Sequence, residues 1–307
     1  MTLASERAVT LLAGATGLLG GEILTRLRAE GRAVRALLRA GTDAAKRAPV
    51  LASGAEPIIG DLKDAGSLGA ACAGVSTVIS TATSTRSRQE GDSILTVDEQ
   101  GQLALVDEAA RAGVRHFVFV SFPPVATDYA LQRAKRRVEA RLHASGMAYT
   151  ILQPVKFCEV WLHPMMRVES GRGRPTAFGL DEGLVSWVSV QDVARFAVAA
   201  SPDGPMRNRV VPLGGPEALT PRQVGALYEE LGAPAVRATP VTRATCEAML
   251  RAAKSPFEEA YVAGMLACMT GQVVDPAPAA ALVPRPFMTV REFVIRALSE
   301  NNNPTGE

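Results

Sequence analysis

The sequence has few of the residues from which metal centres and disulfide frameworks are built. Among its 307 residues, four cysteines are scattered without any close pair: Cys72, Cys158, Cys246 and Cys268. The three histidines show no ligand spacing, such as two imidazoles one helical turn apart. We therefore predict no bound metal and no disulfide scaffold.

Surplus charge and long apolar runs are also absent. The net charge is +2 at pH 7, and no block of like charges marks a nucleic-acid or membrane surface. No apolar run approaches the roughly 20 residues that span a bilayer, and residues 1–7 do not begin a signal peptide. We expect a cytoplasmic protein that binds a small-molecule substrate, with neither nucleic acid nor membrane as a partner. The sequence leaves open whether it is an oligomer.

The most informative segment is a glycine-rich turn between an apolar run, residues 8–13, and a helical pattern that ends at Ala29. The strand leads the backbone into a tight turn, the glycines allow it to approach a pyrophosphate, and the helix amino terminus offers free N–H groups. This order predicts a dinucleotide site. Its predicted contacts in the turn are Gly14, Thr16, Gly17, Leu18, Leu19 and Gly20.

The residue after the next predicted strand indicates which dinucleotide binds. An NAD site commonly has an acidic residue about 20 positions beyond the glycines, where it accepts hydrogen bonds from the ribose. This chain has Arg39, which cannot accept hydrogen bonds but can hold a 2′-phosphate through two N–H donors. We therefore predict NADP(H) in preference to NAD(H). The alternative is a solvated arginine at a strand end.

Strands and helices alternate over the first 153 residues, which predicts an α/β fold with a doubly wound parallel sheet. Ligands bind such sheets at the carboxyl ends of the strands. These ends supply further candidate cofactor contacts: Asp61, Leu62, Thr81, Ala82, Thr83 and Ser121. Asp61 is interpreted either as an acceptor for the adenine amino group, with Leu62 against the ring, or as the cap of the following helix.

The individual elements follow from periodicity and from turn residues. The strands are predicted at 8–13, 33–38, 57–60, 77–82, 114–120 and 149–152, and the helices at 17–29, 64–72, 93–112 and 128–145. Further helices are predicted at 192–200, 221–232, 243–269 and 289–298, the second of them with Thr220 as its cap and Pro221 in its first turn.

The chain changes character after residue 153, where prolines interrupt the alternation. We predict a cofactor-binding domain at 1–153, to which segments around 185–215 return. A substrate-side region is predicted at 154–298, and a frayed tail at 299–307.

Several segments together resemble an atypical short-chain dehydrogenase/reductase of the NmrA-like group, related to the isoflavone reductases. The matching segments are 12–20, 109–121, 135–139, 145–154 and 188–194. The resemblance implies an NADP-binding Rossmann domain and a small, mostly helical carboxyl-terminal region. It also implies that Lys135 contacts the nicotinamide ribose, and that Pro154, Val155 and Phe157 lie beside the nicotinamide. The alternative for Lys135 is a solvated lysine among neighbouring arginines.

The proton donor of ordinary short-chain dehydrogenases is missing. A tyrosine stands four residues before the lysine in those enzymes, whereas position 131 here is leucine. Tyr129 is a candidate acid only if the helix begins after it, since a displacement of two residues rotates a helical side chain by about 200°. Ser121 either polarises a substrate carbonyl, or hydrogen-bonds the nicotinamide amide, or caps a turn. His163 either supplies a proton near neutral pH or lies in the core.

Two functions are consistent with these residues. The first is an NADPH-dependent reductase that transfers hydride to a small hydrophobic acceptor: a quinone, enone, ketone or imine of an aromatic or polyketide-like metabolite. An activated acceptor needs no strong acid, which would explain the missing tyrosine. The second is a redox sensor that binds NADP without turnover. The same missing tyrosine argues against an epimerase or dehydratase.

Overall fold

A computed structural model describes residues 8–85, 87, 89–162, 183–233 and 241–301. The strands are β1 (Val9–Ala13), β2 (Ala33–Leu38), β3 (Glu56–Ile59), β4 (Val75–Ser80), β5 (His116–Val120), β6 (Ala148–Pro154), β7 (Lys156–Phe157), β8 (Trp187–Val188) and β9 (Arg209–Leu213). The amino-terminal helices are α1 (Leu18–Ala29), α2 (Ala44–Ala52), α3 (Ala65–Cys72), a π-helix (Ile94–Gly101), α4 (Gln102–Arg111) and α5 (Ala130–Ala144). They are followed by α6 (Cys158–Trp161), α7 (Val190–Ala199), α8 (Pro221–Glu230), α9 (Arg243–Ala252), α10 (Pro256–Thr270), α11 (Ala277–Leu282) and α12 (Val290–Asn301).

Seven strands form one sheet in the order β3-β2-β1-β4-β5-β6-β9. The first six run parallel, so that Leu12 of β1 lies between Ala36 of β2 and Ile79 of β4. All five residues of β5 are buried, as expected of a strand covered on both faces. The order of the first six strands is that of the Rossmann dinucleotide-binding fold. The predicted fold class is therefore confirmed.

The chain divides into two compact units. Unit 1 comprises residues 1–122, 130–153 and 193–211, and unit 2 comprises residues 123–129, 154–192 and 212–307. Each unit has a hydrophobic core of its own. The core of unit 1 includes Leu11 and Phe117, whereas that of unit 2 includes Trp187, Tyr228 and Phe293. No helix among the described residues is long and apolar enough to cross a membrane.

The predicted helix at 243–269 is wrong as a single element. Two helices, α9 and α10, occupy this stretch. Ser255 ends the continuity because its side chain accepts a hydrogen bond from the Glu258 amide, and Pro256 occupies the first position of α10. Proline is tolerated there because the amide that it lacks would have no partner inside the helix.

Helix α2 was not predicted. Pro49 lies inside it, where proline removes one helical hydrogen bond and normally argues against a helix. Asp43 offsets part of this cost by capping the helix, since its side chain accepts from the Ala45 amide at 2.8 Å. At the other end of the chain, α12 runs to Asn301. The first residues of the predicted frayed tail are therefore helical, and residues 302–307 lie outside the described part of the chain.

The helix predicted at 93–112 is present, but its first two turns are wound as a π-helix. Its amino end is a capping box: the Ser93 side chain accepts from the Thr96 amide, and the Thr96 side chain accepts from the Ser93 amide, both at 3.0 Å. π-Helical turns are rare and are frequent at functional sites. This one lies between β4 and β5 and contacts the loops that follow two strands.

Candidate functional site

The glycine turn after β1 can be formed only by glycine at its first position. Gly14 has φ +93°, in the left-handed region. A Cβ there would lie 2.5 Å from the Thr81 side-chain oxygen and 2.9 Å from the Ala82 amide nitrogen. The turn thus packs directly against the loop after β4, and brings together residues predicted separately as cofactor contacts.

The start of α1 packs just as closely against this turn. A Cβ on Gly20 would lie 1.9 Å from the Gly14 carbonyl oxygen, so the helix approaches the turn without side chains between them. Gly17 is the N-cap of α1 and is exposed, as are Thr16 and Leu18, and no side chain caps the helix there. The amino end of α1 is therefore available to an anion, which its free N–H groups and partial positive charge attract. Leu19 is buried.

Arg39 forms part of a cluster that the sequence did not reveal. Its Nη1 donates to Oδ2 of Asp92 at 2.6 Å, and Lys63 Nζ donates to Oδ1 of the same carboxylate, also at 2.6 Å. Ser87 donates to it as well. Burial alone would raise the pKa of Asp92, but the hydrogen bonds from Lys63, Ser87 and Arg39 lower it. Asp61 Oδ2 also lies 4.0 Å from Lys63 Nζ, so the two cations face two carboxylates and the cluster carries no surplus charge.

Arg39 is partly exposed at its strand end, but it is ion-paired rather than freely solvated. The side chain is 38 % exposed but is held by the Asp92 carboxylate, which is only 3 % exposed. The sequence did not predict that Lys63 lies beside Arg39. Because Lys63 follows the end of β3, the rule that ligands bind at the carboxyl ends of strands would have drawn attention to it.

Asp61 is not a helix cap, so that alternative is wrong. The cap of α3 is Asp64, whose side chain accepts from the Gly66 amide at 3.1 Å. Asp61 instead accepts from the Lys63 amide at 2.9 Å, which shapes the loop after β3. Its neighbour Leu62 is buried in the core of unit 1.

The π-helix holds the loops after β3 and β4. A Cβ on Gly101 would lie 2.8 Å from the Cβ of Leu62, so the two backbones touch. Asp98 Oδ2 accepts from both the amide and the hydroxyl of Ser84, at 2.9 and 2.6 Å. Both residues of this pair are buried. A single helical segment therefore fixes two of the strand ends that carry predicted cofactor contacts.

The loop after β4 is further tied to β1 and α4. The Thr81 amide donates to the Ala13 carbonyl at 2.9 Å, and the side-chain amide of Gln102 donates to the Ala82 carbonyl at 2.9 Å. Thr83 is exposed at the outer side of this loop. Thr81, Ala82 and Thr83 thus lie beside the glycine turn.

Ser121 follows β5 directly and is buried. Its hydroxyl oxygen accepts a hydrogen bond from Nη2 of Arg136 at 2.9 Å. Arg136 also pairs with Oε1 of Glu139 at 3.0 Å, and the side-chain amide of Gln153 donates to the same oxygen at 3.0 Å. Arg136 was missed because helical periodicity alone treats it as one of several solvated arginines on α5. In this chain it places a positive charge beside Glu139 and Ser121.

Lys135 is buried, so the solvated-lysine alternative is wrong. The residue is 6 % exposed, and its ammonium donates to the Val120 carbonyl at 3.1 Å. It also lies 4.6 Å from the centroid of the Phe119 ring. Burial lowers the pKa of Lys135, and the nearby Asp98 and Glu139 partly oppose this. Lys135 and Ser121 are thus brought to the same strand end.

Tyr129 and His163 are the other predicted proton donors. Helix α5 begins at Ala130, so Tyr129 does stand on the segment that enters the helix, and it is buried. Tyr129 belongs to unit 2 and Lys135 to unit 1. His163 lies outside the described residues.

The segment after β6 belongs to unit 2. Val155 is buried, and its amide donates to the Leu213 carbonyl at 3.0 Å. Pro154 ends β6, and Phe157 is half-buried in β7. Among the described residues, no group of three or more histidine, cysteine, aspartate or glutamate side chains is placed to hold a metal ion.

Comparison with known proteins gives both a family and a fold. A family model described as NAD(P)H-binding matches residues 14–203. An NAD(P)H azoreductase of Xenophilus azovorans is 31 % identical over 239 residues, which cover 76 % of this chain and 77 % of the relative. The photosystem II assembly factor Ycf39 of Trieres chinensis is 30 % identical over 224 residues, 72 % of this chain and 68 % of that protein.

The structure of an NADPH-dependent quinone oxidoreductase from Escherichia coli, complexed with NADPH, has the same fold. Its TM-score is 0.74 at 20 % identity, over 94 % of this chain and 99 % of that one. The family model spans the glycine turn, the strand ends and α5, where the geometry described above lies. The chain therefore belongs to the NAD(P)H-binding family that this model describes, together with the azoreductase.

Proposed function

We propose that the protein is an NADPH-dependent reductase that transfers hydride to a small hydrophobic acceptor, such as a quinone, enone, ketone or imine. The observation that carries this proposal is the tight turn from Gly14 to Gly20, which leads into the uncapped start of α1 with a cationic pair nearby in unit 1. The azoreductase and the quinone oxidoreductase, named for the reduction of conjugated acceptors, support the substrate class.

The residues of unit 1 fit an NADPH molecule. The amides at the start of α1 would hold the pyrophosphate, and Arg39 with Lys63 would hold the 2′-phosphate. Lys135 keeps its proposed role at the nicotinamide ribose. NADPH, when bound, supplies the hydride, and the protein supplies binding, orientation and electrostatics. Tyr129 and His163 remain predictions as proton donors.

Preference for NADPH over NADH is the first expected result. Arg39 is 38 % exposed and donates to Asp92 through Nη1 alone, so its other N–H groups can donate to a 2′-phosphate. Arg39→Ala removes these donors and should weaken NADPH binding by about 5- to 150-fold. This is equivalent to about 1–3 kcal/mol, the scale for charged hydrogen bonds. The dissociation constant for NADH should change by less than about twofold, because NADH lacks the 2′-phosphate. Isothermal titration calorimetry with both nucleotides measures the two constants.

Arg209→Ala is the matched control, since Arg209 is an exposed arginine on β9. It should leave both dissociation constants unchanged. Equal affinities of the native protein for NADPH and NADH would contradict the proposed preference, as would an equal loss for both nucleotides in Arg39→Ala.

Ser121 is proposed to donate a hydrogen bond to the oxygen of the acceptor. Arg136 donates to the Ser121 hydroxyl oxygen, which leaves the hydroxyl hydrogen free to act as a donor. The positive charge of Arg136 also makes that hydroxyl a better donor, because it stabilises negative charge on the oxygen. A donor aimed at a developing oxyanion stabilises the transition state more than the ground state.

A second expected result is NADPH oxidation by the wild-type protein, followed at 340 nm, with at least one member of a panel of quinones, enones and azo compounds. Ser121→Ala should lower kcat by about 10²-fold, the usual effect of removing one oxyanion donor. The NADPH dissociation constant should stay within about twofold. An unchanged kcat in Ser121→Ala would remove Ser121 from the mechanism but not the reductase itself.

The alternative is an NADP-binding protein without turnover. The observation that favours it is the similarity to Ycf39, which is named an assembly factor rather than an enzyme. The same panel separates the two functions. Tight NADPH binding without oxidation by any acceptor would favour the alternative over the reductase.

A further inference from the structure

Unit 1 contains a carboxylate on which the two proposed phosphate-binding cations converge. Arg39 Nη1 donates to Asp92 Oδ2 and Lys63 Nζ donates to Asp92 Oδ1, each at 2.6 Å. The Ser87 hydroxyl donates to the same carboxylate. Asp92 thus connects a residue that follows β2 with a residue that follows β3.

The backbone around Asp92 is fixed by contacts of its own. The Asp92 amide donates to the Gln89 carbonyl at 3.2 Å, which closes a turn in which Gly91 has φ +75°. The Thr96 hydroxyl donates to the Gly91 carbonyl at 2.8 Å, and the next residue, Ser93, belongs to the capping box of the π-helix. The carboxylate therefore extends from a fixed point of the backbone on a short side chain, whereas the two cations lie at the ends of long ones.

The three side chains differ in exposure. That of Asp92 is 3 % exposed, whereas those of Arg39 and Lys63 are 38 % and 25 % exposed. Arg39 uses Nη1 on the carboxylate, which leaves Nη2 and Nε to other acceptors. An arriving anion would therefore meet the exposed parts of the two cations, while the carboxylate stays buried.

Both cations lie at the edge of the sheet that carries the glycine turn. Ala13, the last residue of β1, is paired with Leu37 of β2, and Leu38 is paired with Ile59 of β3. Neighbouring strands are about 5 Å apart, so Arg39 leaves the sheet one strand from the turn and Lys63 follows the strand after that. The cluster is therefore beside the turn that would hold the pyrophosphate.

We propose that Asp92 is a positioning residue that sets the selectivity for the 2′-phosphate of NADPH. The inference rests on the NADPH site proposed above and names the residue that aligns its two cations. Arginine and lysine side chains sample many rotamers, and a shared carboxylate selects those in which both cations lie together. It also offsets the repulsion between the two like charges. Asp92 acts through Arg39 and Lys63 and makes no contact with the phosphate itself.

Asp92→Asn tests the proposal, because charge and position predict opposite results. Removal of a negative charge near a phosphate would by itself strengthen NADPH binding. Asparagine, however, replaces only one of the two oxygens and turns an NH₂ donor toward the other cation. We expect NADPH affinity to fall at least about fivefold, which is within the range of coupling in one ion-pair network. The NADH dissociation constant, measured by the same calorimetry, should stay within about twofold.

Asp64→Asn is the matched control. Asp64 is an exposed carboxylate that directly follows Lys63 in the sequence, and it caps α3 by accepting from the Gly66 amide. Asparagine caps helices as well as aspartate does. The substitution therefore removes one negative charge near the cluster and leaves the contacts of Asp92 in place. Both dissociation constants should stay within about twofold of the wild type.

A variant without the two cations tests whether Asp92 acts through them. In Arg39→Ala/Lys63→Met, Asp92 has neither cation to position. Addition of Asp92→Asn to this variant should change the NADPH dissociation constant by less than about twofold. A carboxylate with a merely structural role would lower the affinity in both backgrounds, and that result would overturn the proposal.

The remaining outcomes separate this inference from the proposed function. Unchanged or tighter NADPH binding by Asp92→Asn would overturn the inference alone, provided that the wild type still prefers NADPH and Arg39→Ala weakens it. An equal loss of NADPH and NADH binding in Asp92→Asn, including a loss through unfolding, would show a structural role and would also overturn it. A wild type that binds both nucleotides equally would overturn the inference together with the proposed NADPH preference.

Discussion

Gly20→Ala should abolish NADPH binding and destabilise the protein. The new Cβ would lie 1.9 Å from the Gly14 carbonyl oxygen, a backbone atom that can move only if the turn opens away from α1. Overpacking of this kind costs about 1–3 kcal/mol and occasionally more. Because the same movement displaces the amides at the start of α1, NADPH affinity should fall at least about 100-fold. Calorimetry measures the affinity, and urea unfolding measures the stability.

The adjacent glycine provides a matched control. A Cβ on Gly21 would meet nothing closer than the Ala15 carbonyl oxygen at 3.8 Å, an ordinary contact. Gly21→Ala should therefore bind NADPH normally and gain up to about 1 kcal/mol, since alanine is the better helix former. If both variants bound NADPH like the wild type, the close approach of α1 to the turn would be wrong.

The stability of the protein should fall steeply below pH 6.5 because of His116. This residue is fully buried in β5, with Nε2 3.0 Å from the Thr150 hydroxyl oxygen. Since that hydroxyl donates to the Met206 carbonyl, Nε2 must carry the hydrogen of the neutral ring. Nδ1 is buried without a partner among the described residues, so a second proton there would have no acceptor.

Burial, followed by the charges of Arg207 and Arg32, lowers the pKa of His116 from 6.5 to about 4. Between these values the unfolded chain binds a proton that the native protein does not, so unfolding becomes easier as the pH falls. The free energy of unfolding should decrease by about 1.4 kcal/mol per pH unit over this window, and by about 3 kcal/mol in total.

Urea unfolding at pH 7.5 and at pH 5.5 measures this effect. The difference in the free energy of unfolding between the two pH values should be smaller by about 1.4 kcal/mol in His116→Gln, because glutamine does not titrate. The same substitution at His143, which is exposed, should leave the difference as in the wild type. An unchanged difference in His116→Gln would show that other groups cause the acid sensitivity.

Sequence reasoning predicted the backbone features of the candidate site that are local in the chain. The glycine turn and the helix that follows it lie within seven residues of each other. In such a strand–turn–helix pattern, each glycine has a specific structural role. The strand ends were also found, because the alternation of strands and helices places them at one edge of the sheet. Both features depend on backbone geometry rather than on particular side-chain contacts.

Side-chain partners that are distant in sequence were not found. Arg39 and Asp92 are 53 residues apart, and the composition of neither segment indicates that they form an ion pair. Arg136 was missed for a related reason. Its position on α5 fits an exposed helix face, and only the location of β5 beside that helix reveals that it donates to Ser121. Pro49 lies inside α2 although proline disfavours helix interiors, so propensity alone does not predict this helix.

The π-helix has a consequence for how the nucleotide is received. Gly101 touches the backbone at Leu62, and Asp98 holds Ser84, so protein contacts alone fix these two points in the loops after β3 and β4. Loops that are already immobile lose little conformational entropy when a ligand arrives. More of the interaction energy with the nucleotide then appears as affinity, because the receiving surface is preorganised.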